Sequence, residues 1–428
     1  MANGLIIAAP RSGSGKTVVT LGLLEALKRR GLTVAPAKTG PDYIDRAILA
    51  RVAGSEAINL DPWAMSPDRL RSLAATHAAG ADLLFIEGVM GLFDGAADGA
   101  GSTADLAATL KLPVVLVVDA DRQGQSIAAL VSGFANFRAD VEVAGLIVNR
   151  VATTRHEQML LAALRPLGIP VLGVLPRRDA LHLPERHLGL VMPDEVAGFD
   201  TVVGAAAAVL EEFVDINLLS ALSGPVSGRG SQKFSKLLPL GQRIAIARDD
   251  AFSFIYPHLL DDWHSQGSDL SFFSPLAGES PRMDSDAVYL PGGYPELHGP
   301  TLASARRFQD GLRTAAARGA LIYGECGGYM VLGETLTDKA GVTHRMAGLL
   351  PIATDISRPK RTLGYRRLRH SSPLPWPSDL MGHEFHYSTG GAANPLFSST
   401  DALGTALPSM GAIAGRVMGS YAHVIDVA

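Results

Sequence analysis

The opening thirty residues constrain the fold more than any other stretch. "GLIIAAP" is a continuous apolar run, "RSGSGKT" is a turn of small residues ending in Lys16 and Thr17, and "VVTLGLLEALKRRG" is a helical pattern closing on Lys28, Arg29, Arg30 and Gly31. A strand buried on both faces that feeds a glycine-rich loop opening a helix belongs in a parallel α/β sheet. The alternation continues through "TVAPAKTG", "ADLLFIEG", "LPVVLVVDA" and "VAGLIVNRV". At 428 residues the chain exceeds what one hydrophobic core serves, so two domains are expected. "LLSALSGPVSGRGSQKFSKLLPLG" interrupts the periodicity and predicts a linker over 216–240, between a first domain at 1–215 and a second at 241–428. The second domain also reads as α/β, from "GQRIAIARDDAF", "SDAVYLPGGYPE" and "GALIYGECGGYMVLG". An antiparallel portion is predicted around "TLGYRRLRH" and "MGHEFHYST".

Charge and cysteine content narrow the function. With 38 Lys+Arg against 42 Asp+Glu there is no basic excess of the kind that sequence-independent nucleic-acid binding needs. A single cysteine excludes an intramolecular disulfide framework and predicts a reducing, cytoplasmic setting, and "MANGLIIAAP" lacks the pattern of a signal peptide. The apolar runs are shorter than the roughly 20 residues that span a bilayer, so no membrane partner is expected.

The loop Ser12, Gly13, Ser14, Gly15, Lys16 and Thr17 has the context of a phosphate cradle, although Pro10 stands where the first glycine of G-x-x-x-x-G-K-[ST] belongs. Backbone N–H groups would hold phosphate oxygens, Lys16 would reach the β- and γ-phosphates, and the Thr17 hydroxyl would ligate Mg²⁺. Two further loops follow strands, where ligands bind in open α/β sheets. "KTGPDYID" carries Lys38, Asp42, Tyr43 and Asp45, and "FIEGVMGLFDG" carries Glu87 and Asp94. Carboxylates facing a triphosphate suit Mg²⁺, with Asp45 and Glu87 as candidate ligands beside Thr17. Asn149, ending "GLIVNR", is read either as a contact to the nucleotide base or as a strand-end turn residue.

"YGECGGYM" holds the only cysteine. Glycines two before and two after Cys326 permit the tight strand-to-helix turn of a nucleophile elbow, and the helix N-terminus that follows predicts a lowered thiol pKa. Gly292 or Gly293 of "LPGGYPE", together with the Gly327 N–H, are the candidate oxyanion donors. His383, His386 and His423 are candidate bases, with His423 of "SYAHV" favoured as the partner of Cys326.

Taken together, "SGSGKT", "KTGPDYID", "EGVMGLFDG", "RIAIARDDAFSFIYPHLL", "LPGGYPE", "GECGGYM", "GHEFHYS" and "SYAHV" resemble the cobyrinic and hydrogenobyrinic acid a,c-diamide synthase family over essentially the whole chain. The resemblance implies an N-terminal P-loop domain similar to dethiobiotin synthetase, fused to a class I-type glutamine amidotransferase domain. It also implies ATP, Mg²⁺, L-glutamine and a tetrapyrrole polycarboxylate as cofactors and substrates, and an acyl phosphate route to two amides in cobalamin biosynthesis. Cys326 matches the glutaminase nucleophile and His423 its activating histidine; Lys16 and Thr17 match the nucleotide loop, and Asp42, Asp45, Glu87 and Asp94 the acidic synthetase motifs. Many class I glutaminases place a glutamate two residues after the histidine, where this chain has Ile425, with Asp426 one further on. Ammonia has to travel unprotonated, so a protected path between the domains is expected. Arg46, Arg150, Arg155, Arg177, Arg178 and the run from Arg358 to Arg369 are candidate cations for the tetrapyrrole carboxylates. A homodimer is one expected assembly. The rival readings are a cobyric acid synthase, a nickel-sirohydrochlorin diamide synthase, or a P-loop switch ATPase with an inactive second domain.

Overall fold

The computed structural model describes residues 2–178, 185–186, 189–190, 198–227, 234–390 and 394–428. The chain divides into two compact units, Met1–Phe234 and Ser235–Ala428.

The first unit is built on a sheet whose seven main strands are β1 (Asn3–Ala8), β2 (Val34–Thr39), β3 (Ile58–Leu60), β4 (Leu83–Glu87), β5 (Val114–Asp119), β6 (Val143–Val151) and β7 (Val171–Pro176). Their order is β3-β2-β4-β1-β5-β6-β7, and every pair among them is parallel. β1, β2, β4 and β5 are buried along almost their whole length, as their unbroken apolar runs require. The chain reverses direction across the sheet at β1, which lies between β4 and β5, so the loop from β1 into helix α1 (Lys16–Arg29) opens at the crevice where such sheets bind ligands. Register brings Ile7 of β1 and Lys38 of β2 to either side of Glu87 on β4.

The expected linker is partly ordered structure. Ile216–Ala221 is a helix capped by the Asp215 carboxylate, and the two-residue strand Gly224–Pro225 pairs antiparallel with β1. Val226 then donates its N–H to the Ala2 carbonyl, so this stretch closes the first unit rather than leaving it. Residues 228–233 of the expected linker lie outside the described residues.

The second unit has a six-stranded sheet in the order Asp269–Phe273, Arg243–Ala247, Ala287–Leu290, Leu321–Glu325, Val417–Ser420, Ala412–Ala414; only the last pair is antiparallel. Thr362–Arg369 and Asp379–His386 pair antiparallel, as their alternation predicts, inside a five-stranded sheet whose edge is Ala422–Val427. The chain therefore passes from the parallel sheet to the antiparallel one at Tyr421, between Ser420 and Ala422. That crossing carries His423 to Glu325, the end of the strand that precedes Cys326. Among the described residues no helix is long and apolar enough to cross a membrane.

Candidate functional site

In the first unit the loop after β1 turns on Gly13 and Gly15, both left-handed at φ 78° and 85°. A side chain at Gly15 is excluded twice: its φ favours glycine, and a Cβ there would fall 2.3 Å from Asn149 Nδ2. Asn149 is engaged with the protein on both sides of its amide. Nδ2 donates to the Ser14 carbonyl at 2.9 Å and Oδ1 accepts from Arg150 N, so the side chain supports the loop from beneath. Arg150 adds a clamp from Nη1 to the Gly13 carbonyl and to Asp119 at the end of β5.

Lys16, Thr17, Lys38, Asp45 and Glu87 converge at the carboxyl ends of β1, β2 and β4. Lys16 Nζ donates to Glu87 Oε1 at 2.9 Å, Thr17 Oγ1 donates to the same oxygen at 2.7 Å, and Lys38 Nζ lies 3.3 Å from it. Lys38 also pairs with Asp45, and both lysines donate to the Gly88 carbonyl. A Cβ on Gly88 would strike Thr103 at 2.8 Å, so glycine is required where the carbonyl turns toward the lysines. Asp42 caps helix α2 (Tyr43–Ala53) by accepting from Asp45 N, which sets Asp45 facing Lys38; Tyr43 is buried in the first turn of α2.

The electrostatics follow from burial and pairing. Burial alone would raise the Glu87 carboxyl, but Lys16 and Lys38 outweigh it and hold the group down at about 2. Burial acts to lower Lys38, yet Asp45, Glu87 and Asp42 hold it above its ordinary value. Lys16 is lowered, burial exceeding the help from Glu87. Asp42 is raised to about 6 by burial and by neighbouring Asp45.

Glu87 Oε2 is buried with no hydrogen-bond partner, although Oε1 serves two donors and a nearby cation. One idle carboxylate oxygen beside the Thr17 hydroxyl suits Mg²⁺, a hard cation that takes one or two protein oxygens and completes its shell with phosphate and water. Asp45, committed to Lys38, is less suited to that role. Asp94 lies in a turn held against the phosphate loop, where Leu92 N donates to the Ala9 carbonyl at 2.8 Å. It is exposed, and its carboxylate accepts from Gly91 N at 2.9 Å within its own turn. Arg150, Arg177 and Arg178, expected as tetrapyrrole cations, face Asp119, Asp121 and Glu212.

In the second unit Cys326 lies between the strand Leu321–Glu325 and the helix Gly327–Leu332, with φ 46° and ψ −104°. An L-residue held there is strained, and the glycines around it make the turn sterically feasible: a Cβ on Gly328 would fall 2.0 Å from the Leu290 carbonyl oxygen. Gly293 N lies beside Gly327, 3.0 Å from where a Cβ on Gly327 would sit, so the backbones of these two oxyanion candidates meet. Gly292 also makes room for the histidine. Its missing side chain leaves room for the His423 ring, whose Cε1 would be 2.3 Å from a Cβ at Gly292.

The expected lowering of the Cys326 pKa is overturned. Burial pushes the thiol well above its ordinary value, the Glu296 carboxylate adds to this, and the Gly327 N–H opposes it only in part. The Phe385 carbonyl lies 3.7 Å from the sulfur, an acceptor for the thiol proton. His423, 2% exposed, is lowered to about 3 by burial and by His383 and His386. His383 pairs across the strands with His423 and is itself lowered to about 4, burial being the first cause and Arg366 the second. His386 stacks on Tyr421 at 4.0 Å and meets Glu384 at 2.9 Å. Arg366, another expected tetrapyrrole cation, is buried against the other oxygen of Glu384 at 2.7 Å. It is therefore part of a buried ion pair within the antiparallel sheet.

Sequence reasoning missed two acids. Glu325, directly before the nucleophile, has Oε2 3.8 Å from His423 Nδ1. Glu296 carries a buried Oε2 without a hydrogen-bond partner, and burial raises its carboxyl to about 7. An acid three residues after the second glycine of "LPGGYPE" was the available signal for Glu296. Glu325 reads simply as the end of a strand.

A nucleotide loop with paired lysines and an orphaned carboxylate oxygen in one unit, and a buried cysteine and histidine at a glycine-lined elbow in the other, define an ATP-dependent carbon–nitrogen ligase with glutamine as nitrogen donor. Residues 5–191 match the CobQ/CobB/MinD/ParA nucleotide-binding domain, and residues 243–426 match the CobB/CobQ-like glutamine amidotransferase domain. Proteins named hydrogenobyrinate a,c-diamide synthase are similar throughout. That of Brucella abortus is 55% identical, covering 99% of this chain and 98% of its own. That of Rhizobium meliloti is 50% identical with 99% of each covered, and that of Rhodobacter capsulatus 49% identical with 99% and 98% covered. The chain belongs to the hydrogenobyrinate a,c-diamide synthase family.

Proposed function

We propose that the chain amidates the a- and c-acetate carboxylates of hydrogenobyrinate, each through an acyl phosphate, at the site formed by Lys16, Thr17, Lys38, Asp42, Asp45 and Glu87. A carboxylate resists ammonia because its carbon is a poor electrophile and oxide is a poor leaving group. Attack of the substrate carboxylate oxygen on the γ-phosphorus of ATP releases ADP; ammonia then adds to the acyl carbon and phosphate departs. Lys16 would leave Glu87 for the phosphates, and Lys38, held by Asp45, would face the developing charge. Thr17 and Glu87 would hold Mg²⁺, which supplies charge neutralisation at the phosphates when bound. The observation that carries this reading is the lysine pair buried against one carboxylate at the phosphate loop, a charge arrangement suited to phosphoryl transfer.

In the second unit the Cys326 sulfur would attack the side-chain amide carbon of glutamine while His423 takes the thiol proton and returns it to the departing ammonia; water then hydrolyses the thioester. Gly293 and Gly327 would donate to the oxyanion. Glu296 would receive the substrate α-ammonium, the cation its idle oxygen lacks. Mass spectrometry after incubation with ATP, glutamine and either hydrogenobyrinate or cobyrinate tests the proposal. Two amides gained on the metal-free corrinoid support it. Reaction with the cobalt form alone, or amidation at four positions, overturns it.

A further inference from the structure

We propose that Glu325 is the carboxylate that orients His423 and offsets its charge when it takes the proton of Cys326, a role performed from the residue immediately before the nucleophile. The inference rests on the glutaminase reading of this unit.

The position two after the histidine supplies no charge. Ile425 is fully buried, and it is the extra residue where the pairing of Ala422–Val427 with Asp379–His386 slips. Its carbonyl accepts from His258 Nε2 at 2.8 Å. Asp426, one further on, accepts from Val427 N at 2.9 Å. Glu325 reaches the histidine from the other side. Parallel pairing of its strand with Val417–Ser420 sets it opposite Ser420, just before the crossing at Tyr421. Oε1 accepts from Val424 N at 3.0 Å, so one oxygen holds the backbone next to His423. Oε2 accepts from the Tyr289 hydroxyl at 2.8 Å and lies 3.8 Å from His423 Nδ1.

With Nδ1 3.8 Å from the carboxylate, exchange of the thiol proton is assigned to Nε2. Moving a proton from Cys326 to His423 converts two neutral groups into a thiolate and an imidazolium inside a buried site. His383 and His386 oppose the new positive charge; Glu296, Glu325 and Glu384 oppose the new negative one, so Glu325 acts on both partners. An anionic Glu325, unscreened by solvent, favours the imidazolium directly. The groups facing Glu325 itself are Tyr289 from the neighbouring strand, Tyr323 from its own, His423 and Cys326. Burial raises its carboxyl to about 7, so its ionisation falls within the pH range of an ordinary assay.

Glu325→Gln keeps the shape and the acceptor oxygen but loses the charge. In the full chain it should lower glutaminase kcat by about 10- to 10³-fold with little change in KM for glutamine, and ammonium-dependent amidation should be retained. The wild-type rise in kcat/KM with an apparent pKa near 7 should disappear. Because the chain has one cysteine, alkylation by iodoacetamide reads Cys326 alone and needs no turnover. The same pH-dependent rise in alkylation rate should be lost in the variant. Tyr289→Phe provides the check if Glu325→Gln does not fold. It removes a donor to the carboxylate, so the limb should persist and move to higher pH. Wild-type kcat and an unchanged alkylation profile in Glu325→Gln overturn the proposal. So does a limb unmoved in Tyr289→Phe, or an equal loss of glutaminase and ammonium-dependent activity, which marks a purely structural role.

Discussion

Gly292 and His423 are fitted to each other at less than the width of a methyl group. Gly292→Ala would place Cβ 2.3 Å from the imidazole Cε1, so the ring must move. A displacement of about 1 Å in a catalytic group costs roughly 10² in rate. Glutamine hydrolysis should fall by that order, and ammonium-dependent amidation should not. Glu325 yields a second prediction, on stability. A carboxyl at about 7 in the fold, against the ordinary 4.5, binds its proton more tightly folded than unfolded. Its contribution is therefore complete below pH 4.5 and is lost as pH rises through 7. Glu325→Gln should melt above the wild type at pH 8, the advantage fading toward pH 4.5, even as glutaminase activity is lost. Glu296 gives a test of substrate recognition. If its carboxylate receives the α-ammonium, Glu296→Gln raises KM for glutamine and removes discrimination against the analogue lacking the α-amino group. An unchanged preference for glutamine in the variant excludes that contact.

At the scale of elements, β4 places its last residue between two lysines, and the consequence is measurable. Glu87→Gln leaves Lys16 and Lys38 buried with one carboxylate charge fewer, a change that costs about 3 kcal/mol or more where buried pairs are broken. Thermal unfolding should reveal that loss, and amidation should fail with either glutamine or ammonium. Much of this arrangement is legible in the chain. The loop and helix after β1 follow from small residues between an apolar run and an amphipathic one, and Cys326 stands out because glycines flank it at elbow spacing. What local pattern does not carry is pairing across strands. Glu325 meets His423 only because one strand crosses from a parallel to an antiparallel sheet at Tyr421. Asp94 has the signature of a functional acid between glycines, and its carboxylate also closes its own turn, which local pattern does not foretell. The thiol pKa departs from the expectation for a related reason. A helix N-terminus can be read from sequence, but the burial around Cys326 and two of the three acids beside it, Glu296 and Glu384, come from segments distant in the chain.

At the scale of the molecule, two compact units divide the chemistry, and the division can be probed without cutting the chain. Cys326→Ala should lose amidation from glutamine and keep it from ammonium salts. Lys16→Ala should abolish amidation from both while glutamine hydrolysis persists. If Cys326→Ala also loses the ammonium reaction, the assignment of one half-reaction to each unit is wrong. The state in which the structure holds its thiol has a consequence beyond catalysis. Peroxides and disulfides react with thiolate, and Cys326 is buried, its thiol pushed above the ordinary range by burial and facing the Phe385 carbonyl as acceptor. The single thiol of 428 residues is thereby stored in its less oxidisable form until His423 takes its proton during turnover, so an idle enzyme should survive an oxidant that inactivates a working one.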